Sequence, residues 1–560
     1  MRPRRLFALP VIALLGACAS GAPADPAPNP ASPPLERPPA ETPPPSPDPA
    51  QPEALDPGEP VEVEAFDVAW QNLDMDQDGI PGTSADRAIR ELLADRTAQR
   101  TVVVAVIDGG VDTAHVDLRD ALWVNPDETP GNGVDDDGNG YVDDIHGWNF
   151  LGGPDGRSVD EERFEVTRLY AICQGGTTPE GYVCEEIAQA YREEEQELRD
   201  LMLQVDQIKG TMDIMVPMLE QALGREELNE ANVRALYPRD QRVAQAKEIY
   251  LQFQANGITP ELVNEVADDV TTRLDYGLNP SFDPRGIVGD NPDDGEEREY
   301  GNADVMGPDA SHGTHVAGII AAGRDNGVGM DGIASPHVRV MGVRAVPNGD
   351  ERDKDVANAI RYAVDEGAHI INMSFGKSFS PDKELVDAAV RYADENGVLL
   401  VHAAGNDGAN LAEEENFPNR SYIGGGAASN WITVGASSSS VDTLAAAFSN
   451  YGAAEVDIFA PGVQVLSTQP DGEWEPQDGT SMAAPVVSGV AALLMAYFPE
   501  LGVAEVKEIL LESAVRYGGR DTVLPGEPGT VVSFDELSAT GSVVNAYEAV
   551  RRALGGVEDR

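Results

Sequence analysis

Six consecutive apolar residues, Val102-Val103-Val104-Ala105-Val106-Ile107, run straight into Asp108-Gly109-Gly110. A strand with one wet face alternates apolar and polar side chains; an unbroken β-branched run is apolar on both faces and needs cover on both. That predicts a parallel sheet between two layers of helices, an α/β fold. A chain of 560 residues is long enough for one large core with additions. Further strands are expected over 338–343 and 370–373 and from Val398, with helices near 353–367, 381–396 and, last, 543–554. Folds of this kind gather functional groups at the carboxyl ends of their strands, where Asp108 stands. Alone, such an aspartate reads equally well as a turn cap.

Two later segments carry matching chemistry. Ser311-His312-Gly313-Thr314-His315-Val316-Ala317-Gly318 opens a helix of small and apolar residues, with His312 at its start as a candidate general base. His312 and His315 lack the glutamate spacing of a metalloprotease helix. Asp478-Gly479-Thr480-Ser481-Met482-Ala483-Ala484-Pro485 leads into a second helix. A serine there is near free backbone N–H groups and the positive end of the helix dipole, which suits a reaction that builds negative charge on an attacked carbonyl oxygen. A simple helix cap is the other reading of Ser481.

Taken together, Asp108-Gly109-Gly110, His312 to Gly318 and Gly479 to Pro485 resemble the three signature blocks of the subtilases, in the chain order Asp, His, Ser. Gly109 stands where that family usually has Thr or Ser. The resemblance implies a subtilisin-like parallel sheet flanked by helices and a serine endopeptidase, with Ser481 as nucleophile, His312 as general base and Asp108 orienting the imidazole. A fourth block, Val398 to Gly408, resembles the segment bearing the oxyanion-hole asparagine, and by that match Asn406 is the donor. The resemblance further implies that Ser374, Phe375 and Gly376 line the substrate cleft opposite Ala403, Ala404 and Gly405. Those walls are small or apolar, so an apolar residue before the cut is expected. His402 reads as a structural residue beneath the site. Two other classes are an inactive subtilase fold used as a surface binding protein, against which the four intact blocks argue, and an esterase, whose Gly-x-Ser-x-Gly elbow and chain order are not found here.

Two acidic stretches have calcium character. Asp135, Asp137, Asn139, Asp143 and the Tyr141 carbonyl present oxygens around Gly138 and Gly140, and Asp74, Asp76 and Asp78 match the first half of a calcium loop whose twelfth position is Ala85. A solvated acidic turn is the alternative for both. The formal net charge of −58, from 97 acidic and 39 basic residues, argues against nucleic acid as a partner; protein or peptide substrates are what the subtilase resemblance implies. No organic cofactor is indicated, and a monomer is expected.

Asp108 and His312 are separated by an insertion, 155–275, that reads as helical. Ile187, Tyr191, Leu198, Leu201, Val205, Ile208, Met212 and Met215 form an amphipathic stripe, which Gly210 and Pro217 are expected to interrupt or end. More helix is expected near 232–255 and 260–273. A stabilising appendage, a gate over the cleft and a partner-binding surface are all open roles. Cys173 and Cys184 flank a turn-forming run, and a disulfide between them is expected in an oxidising compartment. The other cysteine, Cys18, ends a basic and then apolar start: residues 1–18 read as a signal with a lipobox-like end, Leu15-Gly16-Ala17-Cys18, lipidated at Cys18, or else as an ordinary signal. Export with lipid attachment to a bacterial membrane follows from the first reading, secretion from the second. Residues 19–60, rich in Pro and acidic residues, read as an extended tether. Residues 61–100 are expected to pack on the peptidase domain, 101–554, or to precede it and be removed. After the signal, no other stretch is expected to be long and apolar enough to cross a membrane. The familial series of motifs, including His146-Gly147-Trp148-Asn149-Phe150, resembles large secreted or surface-attached bacterial subtilases over about residues 68–548.

Overall fold

The computed structural model describes residues 69–558, Gly518 excepted. The expectations for the signal, Cys18, the tether and residues 61–68 lie outside the described residues.

Thirteen strands follow in chain order. They are β1 (Val102–Asp108), β2 (Gly147–Asn149), β3 (Val338–Arg344), β4 (Ile370–Met373), β5 (Leu399–Ala403), β6 (Trp431–Ser437), β7 (Ile458–Pro461), β8 (Val465–Gln469), β9 (Glu473–Gln477), β10 (Val515–Arg516), β11 (Asp521–Val523), β12 (Val531–Ser533) and β13 (Ser542–Val543). Nine of them form one sheet in the order β10-β13-β7-β6-β5-β4-β1-β3-β2. Its neighbours are parallel except β10 and β13. β1 lies between β3 and β4, with Asp108 level with Arg344.

The insertion contributes α1 (Glu165–Gln174), α2 (Cys184–Leu223), α3 (Glu230–Ala235), α4 (Gln241–Ala255) and α5 (Pro260–Thr272). The stripe from Ile187 to Met215 is buried, and Leu219 extends it. α2 is a single helix of 40 residues, so the expected break at Gly210 and Pro217 does not occur. Pro217 removes the bond to the Asp213 carbonyl, but both residues are exposed and water can take that oxygen. The expected helix over 232–255 is split instead. Pro238 disfavours a helical conformation in the residue before it, and the Asp240 carboxylate then caps α4 by accepting from Arg242 N. Cys173 and Cys184 form a disulfide that joins the end of α1 to the start of α2.

The remaining main helices are α6 (Ser311–Ala321), α7 (Asp353–Asp365), α8 (Lys383–Glu395), α9 (Thr480–Tyr497), α10 (Val503–Ser513) and α11 (Ala546–Glu558). Alternate residues of β1 face different cores. Val102, Val104 and Val106 pack with Ile320 of α6, Val487 of α9 and Val550 of α11. Ala105 and Ile107 pack with Ile360 of α7 and Val390 of α8. Each fully buried Val or Ile contributes about 1.5–3 kcal/mol relative to exposure. α9 is long and apolar enough to span a membrane, contrary to the sequence expectation; it is 89% buried, as suits the central helix of a core.

Residues from 69 onward are built into this body. Trp70 Nε1 donates to Val463 O at 2.9 Å, Gln71 Nε2 to Leu466 O at 2.9 Å, and Ala546 N to Thr83 O at 2.7 Å. Ala85, Ala88 and Leu93 lie in the same core as α9.

Candidate active site

The carboxyl ends of β1, β4 and β5 converge with the starts of α6 and α9. Asp108, the last residue of β1, is 3% exposed. Its carboxylate receives Gly109 N at 2.7 Å and meets His312 Nδ1 at 2.8 and 3.0 Å. Gly313 allows this approach: a Cβ there would lie 2.1 Å from Gly110 O and 3.0 Å from the Asp108 Cβ. The His312 side chain stays 41% exposed, so one end of the ring is held and the other is accessible. Burial pulls the imidazole pKa down, but the charge and hydrogen bond of Asp108 outweigh it and set it above the usual 6.5.

Ser481 is the second residue of α9. Gly479 before it has φ of +154°, a backbone region that favours glycine. Pro485 in the same helix has no N–H, so the Ser481 carbonyl lacks its usual helical partner. The Ser374 hydroxyl takes that place, donating to Ser481 O at 2.9 Å. Behind Ser374 a buried relay continues: Asn372 Nδ2 donates to Ser374 Oγ at 2.9 Å, and Ser488 Oγ to Asn372 Oδ1 at 2.8 Å. The start of α9 is thus pinned to the end of β4. The Ser481 hydroxyl itself donates to Ser374 O at 3.1 Å. Catalytic hydrogen bonds are often assembled only once substrate is bound.

Asn406 follows β5. Its Oδ1 accepts from Thr480 N and from Thr480 Oγ1, both at 2.8 Å, and Thr480 Oγ1 also receives Gly405 N at 3.1 Å. With its oxygen held beside the start of α9, the amide group of Asn406 has a fixed direction. Ser374, Phe375 and Gly376 extend β4; in its parallel neighbour β5 Ala403 is the last residue, and Ala404 and Gly405 extend the strand. Ala403 and Ala404 are buried; Phe375 and Gly376 are partly exposed. His402 Nε2 lies 2.8 Å from Phe375 O, and burial lowers its pKa to about 4, so it is a neutral support under that segment. His315 is buried against Glu475 O at 3.0 Å, and burial lowers its pKa to about 3.

The acidic loop differs from expectation in its details. Among the described residues, one set of carboxylates could hold a metal ion: Glu128, Asp137 and Asp144, with ligand atoms within 4.8 Å of one another. Of the three expected carboxylate ligands, Asp135, Asp137 and Asp143, only Asp137 belongs to it. Asp135 instead accepts from the N–H groups of Gly138, Asn139 and Gly140, Asp143 from those of Asn132 and Gly133, and the Asn139 side-chain oxygen from Tyr141 N, so these oxygens close turns. Tyr141 packs its ring against Trp148 and Tyr362. Glu128 Oε2 is buried without a hydrogen-bond partner, and burial lifts the Asp144 carboxyl to a pKa of about 6. An orphaned oxygen among crowded carboxylates is a donor set that fits a hard divalent cation.

The Asp74 loop does not gather in that way. Asp74 caps the short helix Met75–Asp78 by accepting from Asp76 N and Gln77 N, and pairs with Arg87 at 3.2 Å. Asp78 accepts from Asp74 N, while the Asp76 side chain is 87% exposed. The Arg87 guanidinium lies 3.2 Å from Asp74 and 3.6 Å from Asp76, and the three carboxylates of this loop form no cluster among the described residues.

Fold and site together define an α/β protein with an aspartate–histidine pair, a helix-start serine and an asparagine at the carboxyl edge of a parallel sheet. The family model "Subtilase family" matches residues 99–541, and the chain belongs to that family. It is similar to the thermophilic serine proteinase of Bacillus sp. (strain AK1), 40% identical over 226 residues, covering 40% of this chain and 50% of the relative. It also resembles the major intracellular serine protease of Bacillus subtilis (strain 168), 40% identical over 204 residues, covering 36% of this chain and 60% of that one. The chain thus spans about half the length of these curated relatives. Among solved structures, the protease domain of PatA aligns at 30% identity with a TM-score of 0.35, covering 44% of this chain and 82% of that one. A protease from Pseudoalteromonas arctica PAMC 21717 aligns at 19% identity with a TM-score of 0.43, covering 86% and 97%.

Proposed function

We propose that the protein is a serine endopeptidase that cleaves peptide bonds of proteins through an acyl-enzyme. The observation that carries this reading is the 2.8 Å contact between Asp108 and His312, which pairs residues 204 apart in sequence at the sheet edge that also bears Ser374 and Asn406. In the proposed reaction His312 Nε2 takes the proton of Ser481 Oγ as that oxygen attacks the scissile carbonyl. The imidazolium formed is stabilised by Asp108, and His312 then protonates the leaving amine. The Asn406 side-chain amide and the Ser481 N–H, in the first turn of α9, donate to the oxyanion. A water, activated by His312, hydrolyses the acyl-enzyme. The extensions of β4 and β5 receive the peptide as an added strand; backbone pairing accepts many sequences, and the small walls favour an apolar residue before the cut.

Calcium is the cation we assign to Glu128, Asp137 and Asp144, where it would neutralise the crowded carboxylates and tie the loop down. Export fits both the basic and apolar start of the chain and the Cys173–Cys184 disulfide, with Cys18 as the proposed lipid attachment point on a bacterial membrane. Residues 69–100 are read as a permanent part of the domain, and the working enzyme as a monomer. The test is casein hydrolysis by the wild type and by Ser481→Ala, each with and without a calcium chelator. Hydrolysis lost in the Ser481→Ala variant under both conditions is expected; activity persisting there would refute the assignment.

A further inference from the structure

The substrate edge has an anchor outside the family's site. Lys377 directly follows Ser374-Phe375-Gly376, and its backbone pairs with Phe417 in both directions, N to O at 2.9 Å and O to N at 2.8 Å. Asn416, next to Phe417, donates to Ala404 O at 3.2 Å and packs so closely on Gly376 that a Cβ there would lie 2.5 Å from its side chain. Residues 376–377 and 416–417 therefore form a rim that joins the two walls of the cleft.

The Lys377 side chain leaves this rim for the interior, where it is 1% exposed. Its Nζ reaches Glu165 at 2.8 Å, Asp353 at 2.9 Å and Glu351 O at 2.7 Å. Glu165 is the first residue of α1, and Arg168, one turn on, clamps it through two nitrogens at 2.6 and 3.1 Å. Arg168 also binds the carbonyls of Asp350 and Glu351. Burial alone would lift the Glu165 carboxyl; the Arg168 and Lys377 charges outweigh it and hold it well below the usual range. Lys377, Arg168, Glu165 and Asp353 each carry hydrogen bonds, the condition under which buried ions are tolerated, and the buried Glu162 carboxylate lies 3.8 Å from Arg168. The disulfide fastens α1 to the 40-residue α2 beyond it. Between α1, α2 and the rim lies a cavity of about 1430 Å³, bordered by Leu169, Ile187, Phe379, Asn416 and Phe417. The ion cluster links insertion to rim here, beside the contacts of Tyr182 with Ser380 N and with the Phe379 ring.

We propose that Lys377 is a positioning residue for the substrate edge, held by Glu165 of the helical insertion, so that the insertion sets how well the cleft binds extended peptides. A peptide paired along Ser374 to Gly376 depends on backbone groups whose direction is fixed one residue further on. A substrate that reaches only the reacting centre does not use them. The inference rests on the peptidase reading, and the substrates below separate the two.

The measurement is kcat/KM for a six-residue peptide anilide and for a single-residue ester, in the wild type, Lys377→Met, and the double variant Glu165→Gln with Lys377→Met. The double variant removes one charge of each sign and leaves the net charge of the buried cluster unchanged, so it is expected to fold even where the single one does not. The expected result is a fall of about tenfold in the peptide-to-ester ratio, carried by KM, in both variants, with the melting temperature higher in the double than in the single. A merely structural role moves both substrates together and restores both in the double variant. Equal losses on the two substrates, or an unchanged ratio, overturn the proposal. A wild type that cleaves neither substrate sinks the peptidase reading itself, and the inference with it.

Discussion

The sheet body and the helical insertion are both stabilised by buried apolar side chains, but in different geometries. In the body, β1 is apolar on both faces and each face has its own helix layer. In the insertion, α2 buries one stripe against its neighbours and leaves Leu203 and Ile214 exposed. The body holds the candidate site residues through the Asp108 carboxylate on His312 and through short neutral hydrogen bonds, such as the relay from Ser488 to Ser374. The insertion is joined to it through buried ions around Lys377. On the proposed reading the chemistry belongs to the body, where two-sided packing holds positions, and the insertion bears on it through their junction at Lys377.

The comparison breaks most visibly at Asp108. Asp108→Asn is expected to lower kcat for casein by about 10⁴, with the fold retained by circular dichroism. It also removes the charge that raises the His312 pKa. A protonated imidazole cannot accept the serine proton, so wild-type kcat/KM falls on the acid side with a midpoint above 6.5, and in the variant that limb moves to lower pH. Asn406→Ala is expected to lower kcat by about 10²–10³ with little change in KM, since the lost bond forms only as negative charge develops. An equal effect on KM would mean that the amide binds ground-state substrate instead.

The insertion side calls for a different readout. Leu198 is fully buried in the α2 stripe, and Leu198→Ala is expected to destabilise by about 2–5 kcal/mol. Hydrogen exchange should show the loss in α2 and its neighbours, with protection of β1 preserved and hydrolysis of a small ester unaltered. Loss of protection spreading evenly into the sheet would erase the distinction between the regions. The smallest effect is that of calcium. Saturation at a hundredfold excess over Kd stabilises by about 2.7 kcal/mol, so calcium should raise the wild-type Tm and leave that of Glu128→Gln nearly unchanged.

What the sequence made legible follows the same division. β1 and its two cores were readable because burial on both faces leaves no alternative to an unbroken apolar run, and the blocks around His312 and Ser481 were readable as local motifs. The course of α2 past Gly210 and Pro217 was not, because whether a proline ends a helix depends on whether the freed carbonyl faces water. Glu128 and Asp144 escaped because their convergence with Asp137 depends on how the turns between them fold; the one local signal was that Asp144 closes the acidic run. Pairing of Lys377 with Glu165, 212 residues apart, is a tertiary contact with no local trace. The exchange of Pro485's missing N–H for the Ser374 hydroxyl is likewise visible only in three dimensions.

The central claim is that Ser481 is an activated nucleophile. Its most direct test is covalent labelling by a fluorophosphonate, read by intact mass and by peptide mapping. The account predicts one adduct per chain, on the peptide containing Ser481, absent from Ser481→Ala and formed far more slowly in His312→Ala. No adduct on the folded wild type, or one that persists in Ser481→Ala, would contradict it.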